Sequence, residues 1–327
     1  MIRKFRCRQY ENPARKDPVA SHLRRLRRAL LSTLVTASLA GPLSGAARPA
    51  AVPAPTPAAL PPFRAATPAA LAERYAASRD GIRAAERMAA GHGDHWRAAM
   101  LRAMADPARQ FLSFDGRDGG RAVEVFGDLS GAERIVVLVP GSDTNLDKYG
   151  LLRGGSMRLR QALGDRSVVI AWLGYATPST VSLEALTTGR AVQAAPDLQA
   201  FVRELTAAKP AARISVVCHS YGSVVCGQAA YGLDVTDILL CGSPGVGADN
   251  VAALDTRATV WAGRSSGDWV ADVPHTRLPF AGVGFGTDPV SPEFGARVFE
   301  AGDGGHSDYL RPGVALENIA RIVARRA

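Results

Sequence analysis

Apolar residues in the second half of the chain fall into two alternating kinds of segment. Short, mostly apolar runs, rich in Val, Ile and Leu, occupy residues 134–139, 168–172, 213–218, 237–241 and 258–262. Nearly continuous apolar runs are typical of parallel strands covered on both faces. Segments with helical spacing separate or follow them, at 151–163, 190–207, 224–233 and 314–325. With flanking strands at 121–127 and 297–300, this alternation predicts an α/β domain with a doubly wound, mostly parallel sheet.

Residues 68–110 precede this alternation and have a different pattern. Leu71, Tyr75 and Ile82 lie at helical spacing, and the segment predicts two or three amphipathic helices, broken near residues 91–93. His92 and His95 lie at this break, but no Cys or acidic cluster with ligand spacing accompanies them. We therefore predict an N-terminal helical lead-in to the main domain, without a metal site.

The first 67 residues predict an export signal followed by a linker. A basic segment at 24–28 precedes an apolar run at 29–43 and small residues at 44–47, which is the order expected of a signal peptide covering residues 1–46. The apolar run is short for a stable membrane span, and an N-terminal anchor helix is the alternative to a cleaved signal. The general and the twin-arginine secretion routes both remain open. Residues 47–67 are almost entirely Ala and Pro, which predicts an extended, solvated linker. We expect a secreted protein whose domain covers residues 68–327.

The net charge of +9 is concentrated in the leader. Residues 1–46 contain ten Lys and Arg and two acidic residues, a net +8, so the remainder is almost neutral. A nucleic-acid-binding surface requires a basic field on the folded part of a protein. The charge distribution therefore argues against nucleic acid as a partner.

Residues 214–224 contain the clearest chemical motif in the sequence. The apolar run ends at Ser220, with Cys218 two residues before it, Gly222 two residues after it, and a helical segment following directly. Small residues at these two positions and a serine in a sharp strand-to-helix turn are typical of a nucleophile elbow. Such a turn raises the serine hydroxyl to the carboxyl edge of the sheet, so Ser220 is the predicted nucleophile.

A serine nucleophile requires a base and an acid that orients the base. In this architecture they follow the serine in the order acid, then histidine. His306 lies after the last predicted strand in a glycine-rich segment, whereas His275 has no strand end before it, so we assign the base to His306. Asp268 follows the strand at 258–262 and is the predicted acid, with Asp272 as the competing candidate.

Two backbone amides complete the predicted site as an oxyanion hole. One belongs to Tyr221, directly after the nucleophile, and lies at a helix N-terminus. The other is expected in the turn after the strand at 134–139, where Gly141 permits a close approach and Ser142 is the predicted donor. No metal or organic cofactor is required by this chemistry.

Three cysteines lie outside the leader: Cys218, Cys226 and Cys241. Their odd number leaves at least one thiol unpaired in a monomer. One interpretation is that all three are buried, inert thiols. The other is a disulfide between two of them, which could form in a protein outside the cytoplasm. The sequence leaves both interpretations open.

These motifs together resemble the α/β-hydrolase fold and, more narrowly, the actinobacterial α/β-hydrolase family called DUF1023. The matching stretches are 111–115, 139–142, 218–223, 242–245, 288–295 and 305–309, within roughly residues 68–325. The resemblance implies the fold and a serine-hydrolase site but no substrate.

We therefore expect an exported, esterase-like or lipase-like serine hydrolase that acts on a small-molecule or lipid acyl substrate. An acyltransferase that uses the same site, and a non-catalytic binding protein on a hydrolase scaffold, are the alternatives. Residues 274–295 carry Phe280, Phe285 and Phe294 and are expected either to shape an acyl pocket or to form an ordinary surface loop.

Overall fold

A single twisted sheet organises the protein in the computed structural model, which describes residues 52–275 and 284–325. Within those residues the sheet has eight strands, in the order β1-β2-β4-β3-β5-β6-β7-β8. The strands are β1 Gln110–Asp115, β2 Arg121–Phe126, β3 Arg134–Val139, β4 Ser167–Leu173, β5 Arg213–His219, β6 Asp237–Cys241, β7 Thr259–Gly263 and β8 Arg297–Val298. Strands β3 to β8 are parallel to one another. At one edge β2 pairs antiparallel with β4, and β1 pairs antiparallel with β2.

Helices cover both faces of this sheet. They are α1 Pro68–Gly91, α2 His95–Met104, α3 Tyr149–Leu163, α4 Gly189–Ala208, α5 Tyr221–Ala229 and α6 Val314–Ala324. In β3, Ile135 and Val137 pack into a core with α4 and α5, whereas Val136 packs into a second core with α1, α3 and α6. Because successive side chains of a strand point to opposite faces, this double burial explains why β3 is apolar from Ile135 to Val139.

The structure confirms the predicted fold class and corrects several element boundaries. The strand Gln110–Asp115 was not predicted, because a register shift between Phe111 and Ser113 interrupts its alternation. The elbow helix begins at Tyr221, directly after the turn, rather than at residue 224. The last strand has two residues instead of four, since it is an edge strand with only two residues paired to β7.

The segment before α1 packs more closely than the predicted solvated linker. Residues 52–67 contain no helix or strand, but Phe63 and Ala66 are buried in the core. The backbone N–H of Phe63 donates to Glu204, and Arg74 donates to the carbonyl of Pro61. Burial of an aromatic ring stabilises the fold by about 2–3 kcal/mol, which is a sufficient reason for the segment to pack against the domain.

The predicted signal peptide, residues 1–46, lies outside the described residues. Among the residues that the structure does describe, no helix combines the length and the apolar character needed to cross a bilayer.

Candidate active site

Ser220 occupies the turn between β5 and α5 in a backbone conformation that non-glycine residues rarely adopt. Its φ is 54° and its ψ is −128°, so the turn stores strain, as nucleophile elbows do. The N–H of Ser220 donates to the carbonyl of Cys241 at 3.0 Å, which ties the turn to β6. A Cβ at Gly222 would lie 2.6 Å from the carbonyl oxygens of Val139 and Pro140. The tight turn therefore requires glycine at position 222.

The other small position of the elbow holds a disulfide. Cys218 is bonded to Cys226 with a Cα–Cα distance of 6.5 Å, within the range that disulfides span. The bridge joins the end of β5 to α5, and the hydroxyl of Ser223 donates to the carbonyl of Cys218. Cys241 is a buried free thiol, and burial raises its pKa to about 12. The question left open by the cysteine count is thus answered by one bridge and one inert thiol.

Ser220, His306 and Asp268 lie together at the carboxyl edge of the sheet. The Nε2 atom of His306 is 2.8 Å from Oγ of Ser220. Its Nδ1 atom is 2.9 Å from Oδ1 of Asp268 and 3.1 Å from Oδ2. A carboxylate only accepts hydrogen bonds, so Nδ1 carries the hydrogen and Nε2 is free to accept the serine hydroxyl hydrogen. The arrangement therefore holds the imidazole in the tautomer that a base requires.

Asp268 is buried yet charged. Its side chain has no exposed surface, and it accepts hydrogen bonds from the N–H of Val270 at 2.9 Å and the hydroxyl of Tyr309 at 2.5 Å. Burial by itself would raise the pKa of Asp268, but the hydrogen bonds from His306 and Tyr309 outweigh it and lower the pKa below the usual value. The carboxylate thus remains ionised beside the imidazole.

The competing candidates occupy other positions. Asp272 is exposed at the end of a short helix, Trp269–Asp272. His275 lies with Nδ1 3.1 Å from the carbonyl oxygen of Pro244 and with Nε2 beside the ion pair of Arg264 and Asp288. The structure therefore brings Asp268 and His306 to Ser220, and places Asp272 and His275 in other contacts.

The loop after β3 contacts Ser220 closely. A Cβ at Gly141 would lie 2.6 Å from Cβ and 3.1 Å from Oγ of Ser220, and Ser142 follows directly. The hydroxyl of Tyr175 donates to the carbonyl of Pro140 at 2.6 Å. On the other side of Ser220, Tyr221 is the first residue of α5. Both predicted amide donors therefore belong to segments that adjoin the serine.

Sequence reasoning assigned no role to two residues of the site. Tyr309 donates to Asp268, and His219 lies with Nε2 2.6 Å from the carbonyl oxygen of His306. The ring of His306 contacts the rings of His219 and Trp269, each with a centroid distance of 4.7 Å. The available signals were sequence adjacency to Ser220 for His219, and a spacing of three residues from His306 for Tyr309.

Two of the three aromatic residues expected to shape an acyl pocket are in the core. Phe285 is buried and packs edge-on against Tyr221 at 5.8 Å, and Phe294 is fully buried. Phe280 lies outside the described residues. Within the described part of the chain, no group of three or more His, Cys, Asp or Glu could hold a metal ion. His92 caps α1 and His95 begins α2.

Comparison with solved structures finds matches of low sequence identity. An α/β serine hydrolase without a lid from Xanthomonas campestris is 16% identical, with a TM-score of 0.43, and the match covers 66% of this chain and 92% of that one. An α/β serine hydrolase homologue from Coxiella burnetii is 14% identical, with a TM-score of 0.41, over 67% of this chain and 96% of that one. No curated protein matches the chain significantly.

A family model described as alpha/beta hydrolase matches residues 115–278. The matched segment begins at the end of β1 and includes β2 to β7, the turn at Ser220 and Asp268. It ends before His306, whose position beside Ser220 comes from the structure. The match covers half of the chain, and the protein belongs to the alpha/beta hydrolase family.

Proposed function

We propose that this protein is a serine hydrolase that cleaves an ester or a related acyl bond. Ser220 is the nucleophile, His306 the general base and acid, and Asp268 the residue that orients the imidazole. The observation that carries the proposal is the continuous hydrogen-bonded chain, at 2.8 Å from Oγ of Ser220 to Nε2 of His306 and 2.9 Å from Nδ1 to Asp268.

The reaction follows from this arrangement. His306 takes the proton of Ser220 through Nε2 while Oγ attacks the acyl carbon, and the carboxylate of Asp268 stabilises the imidazolium that forms. The amides of Tyr221 and Ser142 receive the oxyanion of the tetrahedral intermediate. His306 then gives its proton to the departing oxygen, which leaves an acyl-serine. Water, deprotonated by His306, attacks the acyl-serine. The bond between the acyl carbon and Oγ then breaks, the acid is released, and His306 returns the proton to Oγ of Ser220.

The surroundings of the site favour a substrate with an apolar acyl part. Trp269 contacts His306 and is half exposed. Val181 and Leu183 are 87% and 62% exposed, on the segment whose Thr180 donates to Asp143 in the loop after β3. Contiguous apolar patches on a protein surface mark sites that bind apolar groups, and Trp269 is an exposed apolar side chain in direct contact with His306. We therefore propose a small-molecule or lipid acyl ester as the substrate class.

Export and the narrower family assignment are part of the same proposal. The Cys218–Cys226 disulfide supports a protein that works outside the reducing cytoplasm, as does the basic and apolar leader in residues 24–47. We retain the resemblance to the DUF1023 family as a proposal, since the motifs that carry it include Ser220 and His306.

The test uses a fluorophosphonate probe and a chain-length series of nitrophenyl esters. We expect the wild-type protein to be labelled and to hydrolyse the esters, and Ser220→Ala to lose both labelling and turnover with an unchanged melting temperature. Full ester turnover by a folded Ser220→Ala protein would rule out the mechanism. Product analysis with added alcohols distinguishes hydrolysis from transfer of the acyl group to an acceptor.

A further inference from the structure

His219 links the nucleophile strand to the loop that bears His306. It is the last residue of β5 and directly precedes Ser220. Its Nε2 atom lies 2.6 Å from the backbone carbonyl oxygen of His306, and the two imidazole rings are 4.7 Å apart. A carbonyl oxygen only accepts hydrogen bonds, so Nε2 of His219 must carry the hydrogen and donate it. The bond acts on the backbone of the residue that the mechanism uses as base.

His219 makes this bond as a neutral group. Burial, and then the neighbouring His306, lower the pKa of His219 to about 4. A positive charge on His219 would oppose formation of the imidazolium on His306 during the reaction. A neutral imidazole donates the same hydrogen bond without that repulsion, so the residue can hold its neighbour without weakening it as a base.

The loop around His306 needs such a restraint because its backbone is permissive. It contains Gly302, Gly304 and Gly305, and glycine restricts the backbone least of all residues. The flanks of the loop are held by other bonds: the N–H of Ser266 donates to Gly302, and the N–H of Gly305 donates to a carboxylate oxygen of Asp308. The contact from His219 fixes the carbonyl of His306 itself.

We propose that His219 is a positioning residue, whose hydrogen bond to the carbonyl of His306 holds the imidazole in place against Ser220. This inference rests on the proposed function, in which His306 is the base. Without the bond, the loop shifts and the distance of 2.8 Å between Nε2 and Oγ is no longer maintained. A displacement of about 1 Å in a reacting group lowers a rate by up to about 100-fold.

The test compares His219→Phe with His219→Gln. Phenylalanine keeps a planar ring but has no donor, whereas the glutamine amide nitrogen donates at a similar reach. Ester hydrolysis is measured per active site, with the sites counted by fluorophosphonate labelling. We expect His219→Phe to lower kcat by about 10- to 100-fold with KM within about threefold. His219→Gln should restore kcat to within about fivefold of wild type.

Two controls separate positioning from folding. His95→Phe makes the same chemical change at an exposed residue at the start of α2 and should leave kcat unchanged. If His219→Phe does not fold, as judged by its melting curve, His219→Leu replaces it as the variant without a donor.

A folded variant without a donor that retains the wild-type kcat, or equal losses in His219→Phe and His219→Gln, would overturn the role of His219. Ser220→Ala is assayed in parallel. If Ser220→Ala retains ester turnover, the proposed function is overturned. If Ser220→Ala loses turnover but His219→Phe keeps the wild-type kcat, only the positioning role of His219 is overturned.

Discussion

The contacts of Asp268 determine its charge and its orientation at the scale of a single residue. Three groups donate to its carboxylate: Nδ1 of His306, the hydroxyl of Tyr309 and the N–H of Val270. Their hydrogen bonds offset the free-energy cost of burying the negative charge of the carboxylate. Asp272, four residues later, is exposed. The two carboxylates therefore have different expected effects on the reaction.

We predict that Asp268→Asn lowers kcat by about three to four orders of magnitude, because an amide in place of the carboxylate no longer selects the imidazole tautomer. The matched change Asp272→Asn should cost less than about tenfold, since it alters an exposed side chain. Ester turnover by the two folded variants is the measurement. The assignment of the acid is wrong if Asp272→Asn is the damaging change.

The depressed pKa of His219 gives a second prediction, on stability. His219 ordinarily titrates near 6.5 but near 4 in the folded protein. Between these values the unfolded chain binds a proton that the folded protein does not, so the free energy of unfolding falls as the pH falls from 6.5 towards 4. The loss from this residue is at most about 3 kcal/mol.

The difference in unfolding free energy between wild type and His219→Gln isolates the contribution of His219. The other titrating groups are present in both proteins, so their contributions cancel in the difference. Urea denaturation at about pH 7 and about pH 4.5 should show that wild type loses more stability than the variant on acidification. A difference in unfolding free energy that stays constant between the two pH values would contradict the depressed pKa.

The elbow is the element in which the strand, the turn and the helix constrain one another. The end of β5 and the start of α5 come so close to β3 that position 222 has room for no side chain. The disulfide between Cys218 and Cys226 and the bond from Ser220 to Cys241 hold the same element from two other directions. The strained conformation of Ser220 persists because its surroundings determine it.

We predict that Gly222→Ala destabilises the protein by about 2–4 kcal/mol and lowers ester turnover, because the added methyl group meets the rigid backbone of Val139 and Pro140. Gly150→Ala is the matched control: Gly150 is exposed in α3, where an added Cβ meets nothing within 4 Å. It should change stability by no more than about 1 kcal/mol. Chemical denaturation of both variants measures the difference, and equal effects would contradict the steric argument.

At the scale of the whole molecule, the sheet brings the candidate site residues to one edge. Strands β3, β5, β6 and β7 are parallel, so the loops that follow them leave from the same side. Ser220 follows β5, Asp268 follows β7, and His306 follows β8. Residues that are up to 86 positions apart in sequence therefore form direct hydrogen bonds.

The N-terminal segment before the domain predicts that the protein is exported. We expect the exported protein to begin near residue 47, because the basic segment, the apolar run and the small residues at 24–47 follow the order of a cleaved signal. N-terminal sequencing of protein collected from the culture medium is the measurement. Recovery of a chain that begins at Met1 would contradict the prediction.

The sequence by itself determined the fold class and the candidate nucleophile. Apolar runs such as residues 134–139 predict buried parallel strands because both of their faces require cover, and the structure confirms that architecture. The small residues around Ser220 indicate the elbow because steric crowding in a tight turn is a local effect. Chain order left two histidines as candidate bases, and the position after the strand at 258–262 left two aspartates as candidate acids.

Tertiary structure decided what depends on distances between segments. The contact of Asp268 rather than Asp272 with His306 depends on the path of the loop after β7. The pairing of Cys218 with Cys226, the burial of Phe63 and the bond from His219 to the carbonyl of His306 depend on packing between elements. These contacts join residues that belong to different segments of the chain. Hydrophobic periodicity indicates which face of an element is buried, but not which residue of another element it contacts.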